Sequence, residues 1–188
     1  MQYLQNSKTL KNFLPFADLF DYPYDKELIS SILSQKEKID DKELQEIFKE
    51  FEYILNNEGI SKLQELYSSA FDIMPIFYPY LSYHLHYDSF DRNSMMIQLR
   101  EFYKQNNFSY DVERNELPDH LFIMLKFLQK NSQYLDVMLD KYFYRAFENF
   151  ANGAKETLKD PTNIYLKLLK YILKQVINLK QVIGGEIK

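Results

Sequence analysis

Apolar residues recur at spacings of three and four along almost the whole chain, which is the periodicity of helices that bury one face. Leu44, Ile47, Phe48, Phe51, Ile54 and Leu55 form such a face behind Asp40 and Asp41, which are suited to cap the first turn. Ser61 with Gln64 reads as a capping box opening a helix through Leu66, Tyr67 and Ala70. Ser89 precedes a segment in which Met95, Met96, Leu99, Phe102 and Tyr103 share one side. The longest unbroken stripe runs Leu135, Met138, Leu139, Tyr142, Phe143, Ala146, Phe147 and Phe150, ending near Gly153. Another joins Tyr165, Leu168, Leu169, Ile172, Val176, Leu179 and Ile183. No stretch alternates with period two for long enough to predict a strand, and no internal repeat is visible. The pattern predicts an all-α, single-domain bundle of roughly eight or nine helices spanning 1–188.

Two segments break the regularity. IMPIFYPYLSYHLHY, Ile73 to Tyr87, has no acid, lysine or arginine and is interrupted by Pro75 and Pro79. Prolines so spaced prevent a continuous helix, so the segment is expected to be buried and bent, leading into a short helix from about Tyr80. Asn106 to Glu116 carries turn formers and charges and is expected to be a loop, and the GGEIK end, 184–188, is expected to be mobile.

Composition narrows the chemistry. The 188 residues include 16 tyrosines and 15 phenylalanines but 4 glycines, 6 prolines and no cysteine. Without cysteine there are no disulfides, thiolate metal sites or thiol nucleophiles, which fits a reducing compartment. The amino terminus lacks a secretory pattern and no uncharged apolar run reaches membrane-spanning length, so a cytoplasmic protein is expected. The net charge of −4 gives no overall attraction for nucleic acid. The exception is local: Thr162 to Ile183 carries Lys167, Lys170, Lys174 and Lys180 and no acid. That face suits either a solvated helix over a core stripe or weak contact with an anionic membrane surface.

Candidate chemistry gathers at ELPDHL, Glu116 to Leu121, which places two carboxylates, a proline and a histidine before the apolar run LFIMLKFL. As a helix start, the motif puts Pro118 in the first turn and Glu116 and Asp119 near the positive end of the helix dipole. His120 is left unexplained, since the same dipole disfavours its cation. The alternative, a hydrolase-like dyad of His120 and Asp119, lacks a patterned nucleophile. His84, His86, Asp88 and Asp91, with His120 as a further candidate, offer metal ligands by composition, but histidines two residues apart point to different sides of a helix, so no metal is expected. Gly59, Gly153, Gly184 and Gly185 cannot build a glycine-rich nucleotide loop, and no cofactor is expected.

YHLHYDSFDRNSMMIQLREFYKQNNF followed by ELPDHLFIMLKFL, within Tyr83 to Leu128, resembles the nitrate reductase delta-subunit family, the NarJ-type molybdenum-cofactor assembly chaperones. These are related to the twin-arginine redox-enzyme maturation chaperones. LFDYPYDKEL, Leu19 to Leu28, is similar to that family's opening. Tyr87 and Asn93 depart from it where small residues or glycine are usual, and Phe90 where a base is common. The resemblance implies a cytoplasmic, non-enzymatic helical chaperone. It implies partners in the amino-terminal peptide of a molybdenum oxidoreductase catalytic subunit and in molybdenum-cofactor biosynthesis proteins. The matching positions are His84, Asp88, Ser89, Asp91, Arg92 and Glu116 to His120. A client helix in a groove then predicts an apolar floor from Tyr80, Tyr83, Met95 and Phe102, a rim from Asp88, Asp91, Glu116 and Asp119, and a hydrogen-bonding contact at His120. A monomer or homodimer is expected.

Overall fold

The computed structural model describes Leu14 and residues 16–87, 89–109, 116–154, 156–159 and 161–184, with side chains as far as Val176. After a 3-10 turn at Ala17–Phe20, Asp25 opens α1 (Lys26–Leu33) by accepting from the Glu27 and Leu28 amides at 2.8 and 3.1 Å. Asp41 does the same for α2 (Lys42–Asn57), accepting from Leu44 at 3.0 Å. These carboxylates satisfy amides that a helix leaves unpaired at its start.

The capping box at Ser61 is not used. α3 (Ile60–Phe71) is capped two residues earlier, at Gly59 with φ 84°, and Gln64 donates to the Pro23 carbonyl at 3.0 Å. The cause lies at the end of α2, where the Gly59 amide bonds back to Ile54 O at 3.1 Å and the chain reverses through a positive φ that favours glycine. Ser61 is thereby carried into the first turn.

The chain continues through α4 (Leu81–His86), α5 (Phe90–Gln105) and α6 (Leu121–Lys130). Next comes one long helical run: α7 (Leu135–Met138), a π turn (Leu139–Phe143) and α8 (Tyr144–Gly153). α9 (Ile164–Gly184) closes the described chain. All regular elements among the described residues are helical, as the periodicity predicts. The apolar stripe from Leu135 to Phe150 is buried apart from the half-buried Tyr142, but the π turn shifts its register midway.

α9 packs on α2, α3 and α8. Tyr165 meets Phe51, Tyr67 and Phe71 edge-on at centroid distances of 5.1, 5.3 and 5.8 Å. The stripe of Tyr165, Leu168, Leu169, Ile172 and Val176 is buried, and so are Leu166, Tyr171 and Leu173, so neighbours cover more of α9 than one face. Each such large side chain contributes about 1.5–3 kcal/mol when removed from water. The lysines of this helix bind within the chain. Lys167 reaches both Glu50 oxygens at 2.7 Å, Lys174 reaches both Glu43 oxygens at 2.7 and 3.0 Å, and Lys170 donates to the Lys159 carbonyl at 2.7 Å. Three of the four lysines expected to form a free basic face are thus held by α2 and the preceding loop; the side chains of Leu179, Lys180 and Ile183 lie outside the described residues. No helix among the described residues is long and apolar enough to cross a membrane.

The segment from Ile73 to Tyr87 is bent as expected, and α4 begins at Leu81, but it is not uniformly buried. Phe77 and Pro79 are inside, whereas Ile73 and Met74 are 73% and 91% exposed, and Ile76 and Tyr78 also face outward. The Ile76 and Phe77 amides both donate to Ala70 O, at 3.1 and 3.3 Å, folding the chain over the end of α3 so that Phe77 takes the core position. In the expected loop after α5, Phe108 turns inward. Residues 110–115 and 185–188 lie outside the described residues, so the mobility expected of the tail does too.

Candidate functional site

α6 begins at Leu121, three residues beyond Pro118, so Pro118 is not in its first turn. Pro118 and Asp119 instead form a turn in which the His120 amide bonds to Leu117 O at 3.1 Å. His120 is itself the cap: its Nδ1 accepts from the Phe122 amide at 3.2 Å. Burial pushes its pKa below the ordinary histidine value, against the opposing pull of Glu116, Asp21, Asp119 and Asp72. A neutral ring can accept through Nδ1, which removes the conflict with the helix dipole.

The motif is locked to the bent segment. Leu81 N–H donates to Asp119 O at 3.0 Å and Leu121 N–H to Pro79 O at 2.7 Å, pairing Tyr80 with His120 in a single antiparallel bridge. Their rings meet edge-on at 5.2 Å, and the Tyr103 hydroxyl donates to Pro118 O at 2.9 Å. The Tyr80 phenol is pushed up, first by burial and then by Glu116, which is half-buried and accepts from the Leu117 amide at 2.9 Å.

Asp119 is not a rim residue. It is 0% exposed, and its Oδ2 accepts from the Ser82 amide at 3.2 Å and from the Ser82 hydroxyl. Its Oδ1 has no hydrogen-bond partner among the described residues. Ser82 in turn accepts from Arg92 Nε at 3.1 Å, so one buried hydroxyl links the carboxylate to the base of α5. Ser82 escapes sequence reasoning, because its role depends on a partner 37 positions away.

The other expected positions divide. His84 Nε2 donates to Tyr78 O at 2.8 Å, its ring stacks on Phe77 at 4.6 Å, and burial lowers its pKa against the raising effect of that carbonyl. Its own carbonyl accepts from Asn149 at 2.8 Å, tying α4 to α8. Among the described residues no three of His, Cys, Asp and Glu gather closely enough to hold a metal. Tyr83 lies against Tyr78 and Tyr87 at 4.3 and 5.6 Å, with the Arg92 guanidinium 6.0 Å from its ring. The floor expected from Tyr80, Tyr83, Met95 and Phe102 does not form: Tyr80 sits against His120, Tyr83 against Tyr78, and neither they nor Phe102 line the cleft around Met95; Phe102 is drawn elsewhere. It packs instead on Phe127 and Tyr134, at 5.3 and 4.9 Å. Asp88 lies outside the described residues.

Asp91 and Met95 do come together, in an open cleft of about 360 Å³. α5 lines it with Asp91, Ser94, Met95 and Gln98, spaced as one helical face. Leu85 and His86 of α4, with Lys141 and Tyr142 of the π turn, form the other walls. The 91, 94, 95, 98 spacing is visible in the sequence. The opposite wall is not, because an extra residue in a helix has no compositional mark.

Among curated proteins none matches the chain. The family described as nitrate reductase delta subunit has a model that matches residues 37–160, well over half of the chain and including every residue of the cleft and of the ELPDHL motif. The chain therefore belongs to the nitrate reductase delta subunit family.

Proposed function

We propose that the protein is a system-specific chaperone. It binds the amino-terminal segment of a nitrate reductase-like molybdopterin oxidoreductase catalytic subunit and assists cofactor insertion before membrane docking or export. Family membership supports the general part, a maturation role in redox-enzyme assembly rather than catalysis. The cleft between α4, α5 and the π turn is the observation that carries the specific part. It is open, lies wholly within the matched residues, and combines an apolar floor at Met95, Leu85 and Tyr142 with polar groups at Asp91, Gln98 and Lys141. Such a surface suits a helical segment that lays its apolar side chains inward.

The Asp119–Ser82–Arg92 chain and the Tyr80–His120 bridge then act as the frame that ties the starts of α4 and α5 to the turn before α6, with Tyr83 and Glu116 beside it. The dyad alternative has less support, since Asp119 and His120 are both buried and engaged in holding the backbone. Peripheral membrane binding through α9 is disfavoured by the carboxylates that already hold Lys167 and Lys174.

Calorimetric titration of the full chain with the amino-terminal peptide of a nitrate reductase-like catalytic subunit from the same organism tests the proposal. Saturable binding that competes with an unlabelled copy of the same peptide is expected. No binding by a well-folded sample would overturn it.

A further inference from the structure

The cleft brings an acid and a base to its walls without pairing them, whereas Lys36, Lys49, Lys62, Lys126, Lys167 and Lys174 each hold a carboxylate. Asp91 on α5 and Lys141 on the π turn line the same cleft, yet neither has a hydrogen-bond or ion-pair partner among the described residues. His86, Gln98 and the Tyr142 hydroxyl beside them are likewise without an internal partner among the described residues.

The second observation is the π turn itself. One extra residue in a helix rotates the downstream turns by roughly 100° relative to the upstream ones, with poorer hydrogen-bond geometry, and such insertions concentrate at functional sites. Here the turn spans Leu139–Phe143 and contributes Lys141 and Tyr142 to the cleft wall. On the facing helix, Phe90 and Ile97 lie one lane over from Ser94 and are 82% and 63% exposed, so the lip beside Asp91 is apolar.

We propose that the cleft reads charge order: Asp91 takes a cationic side chain and Lys141 an anionic one from a client helix whose apolar face rests on Phe90 and Ile97. The inference rests on the chaperone reading and adds the chemistry of the client. The client is an amphipathic helix carrying Lys or Arg and Asp or Glu one turn apart. A volume of 360 Å³ admits a few side chains and not a whole helix, so recognition at this point concerns one turn of the client.

Three synthetic helical peptides of about 18 residues, long enough to hold helical structure, share one leucine face and differ at two positions: cation then anion, anion then cation, or glutamine at both. Fluorescence anisotropy against the full chain is expected to favour one charged order over the glutamine peptide by about tenfold, two partly exposed ion pairs each being worth a few-fold. That preference shrinks in salt of about 0.5 M. Asp91→Asn and Lys141→Gln each remove about threefold of it, and the doubly exchanged Asp91→Lys, Lys141→Glu chain prefers the opposite order. Equal affinity for all three peptides, with the catalytic subunit's own peptide still bound, overturns charge reading and leaves the chaperone proposal standing. Failure to bind any peptide, the natural one included, overturns both. The salt dependence is read on the unaltered chain, so the inference remains refutable even where a variant misfolds.

Discussion

His84 and His120 are both buried; His120 accepts through Nδ1, which needs a neutral ring, whereas His84 donates through Nε2 and is held neutral by burial alone. Burial lowers both pKa values in the folded chain below the ordinary 6.5. The unfolded chain therefore takes up protons first as pH falls, and stability present above about pH 6.5 is progressively lost below it. Thermal melts between about pH 7.5 and 5 should show this decline, and a His84→Gln, His120→Asn chain, which has no ring to protonate, should show a flatter one. Asp119 calls for a different experiment. Removing its carboxylate leaves the Ser82 amide and hydroxyl without their acceptor, so Asp119→Ala should cost about 1–3 kcal/mol in urea unfolding. Asp119→Asn keeps one acceptor oxygen and should cost less. A loss of peptide affinity in Asp119→Asn with unchanged stability would return this residue to the binding rim.

At the scale of elements, the π turn is the feature on which the cleft depends. Deleting Asp140, an exposed residue within it, should convert α7, the π turn and α8 into one regular helix. Helix content by circular dichroism should hold, while Lys141 and Tyr142 rotate away from the cleft and peptide affinity falls by about tenfold. Unchanged affinity would show that the π turn is incidental to binding. The elements also show what a single sequence can carry. The Asp41 cap and the stripes of α2, α5 and α9 are legible because helical period and cap chemistry are local. The box at Ser61 misleads because the end of α2, not local preference, sets where α3 starts. ELPDHL is legible as the approach to a helix, but the cap falls on His120, whose neutrality comes from burial that no local pattern reports. Asp119 reads as a rim acid for the same reason, and Phe102 is turned from the floor by Phe127 and Tyr134, which lie far from it in sequence.

Across the whole molecule, one continuous apolar core joins the elements, and its aromatic rings meet from distant parts of the chain. Phe147 is 2% exposed, between Phe77 and Phe143 at 6.0 Å from each. Phe147→Ala should cost about 3–5 kcal/mol, read as a lower denaturation midpoint. No change would move that ring out of the core and reopen its surroundings as a binding surface.

The placement of α9 bears on where this protein can be cut. The family match ends at residue 160, yet Tyr165, Tyr171 and Ile172 beyond it fill the space between α2, α3 and α8. A fragment ending at the match would leave Phe51, Tyr67 and Phe71 facing water where Tyr165 had been, and Glu43 and Glu50 without their lysines. Such a fragment should bind a hydrophobic dye and lose its sharp thermal transition. The boundary of sequence kinship is thus not a boundary of cooperative folding, and a peptide-binding measurement made on residues 37–160 alone would report on a partly unfolded chain.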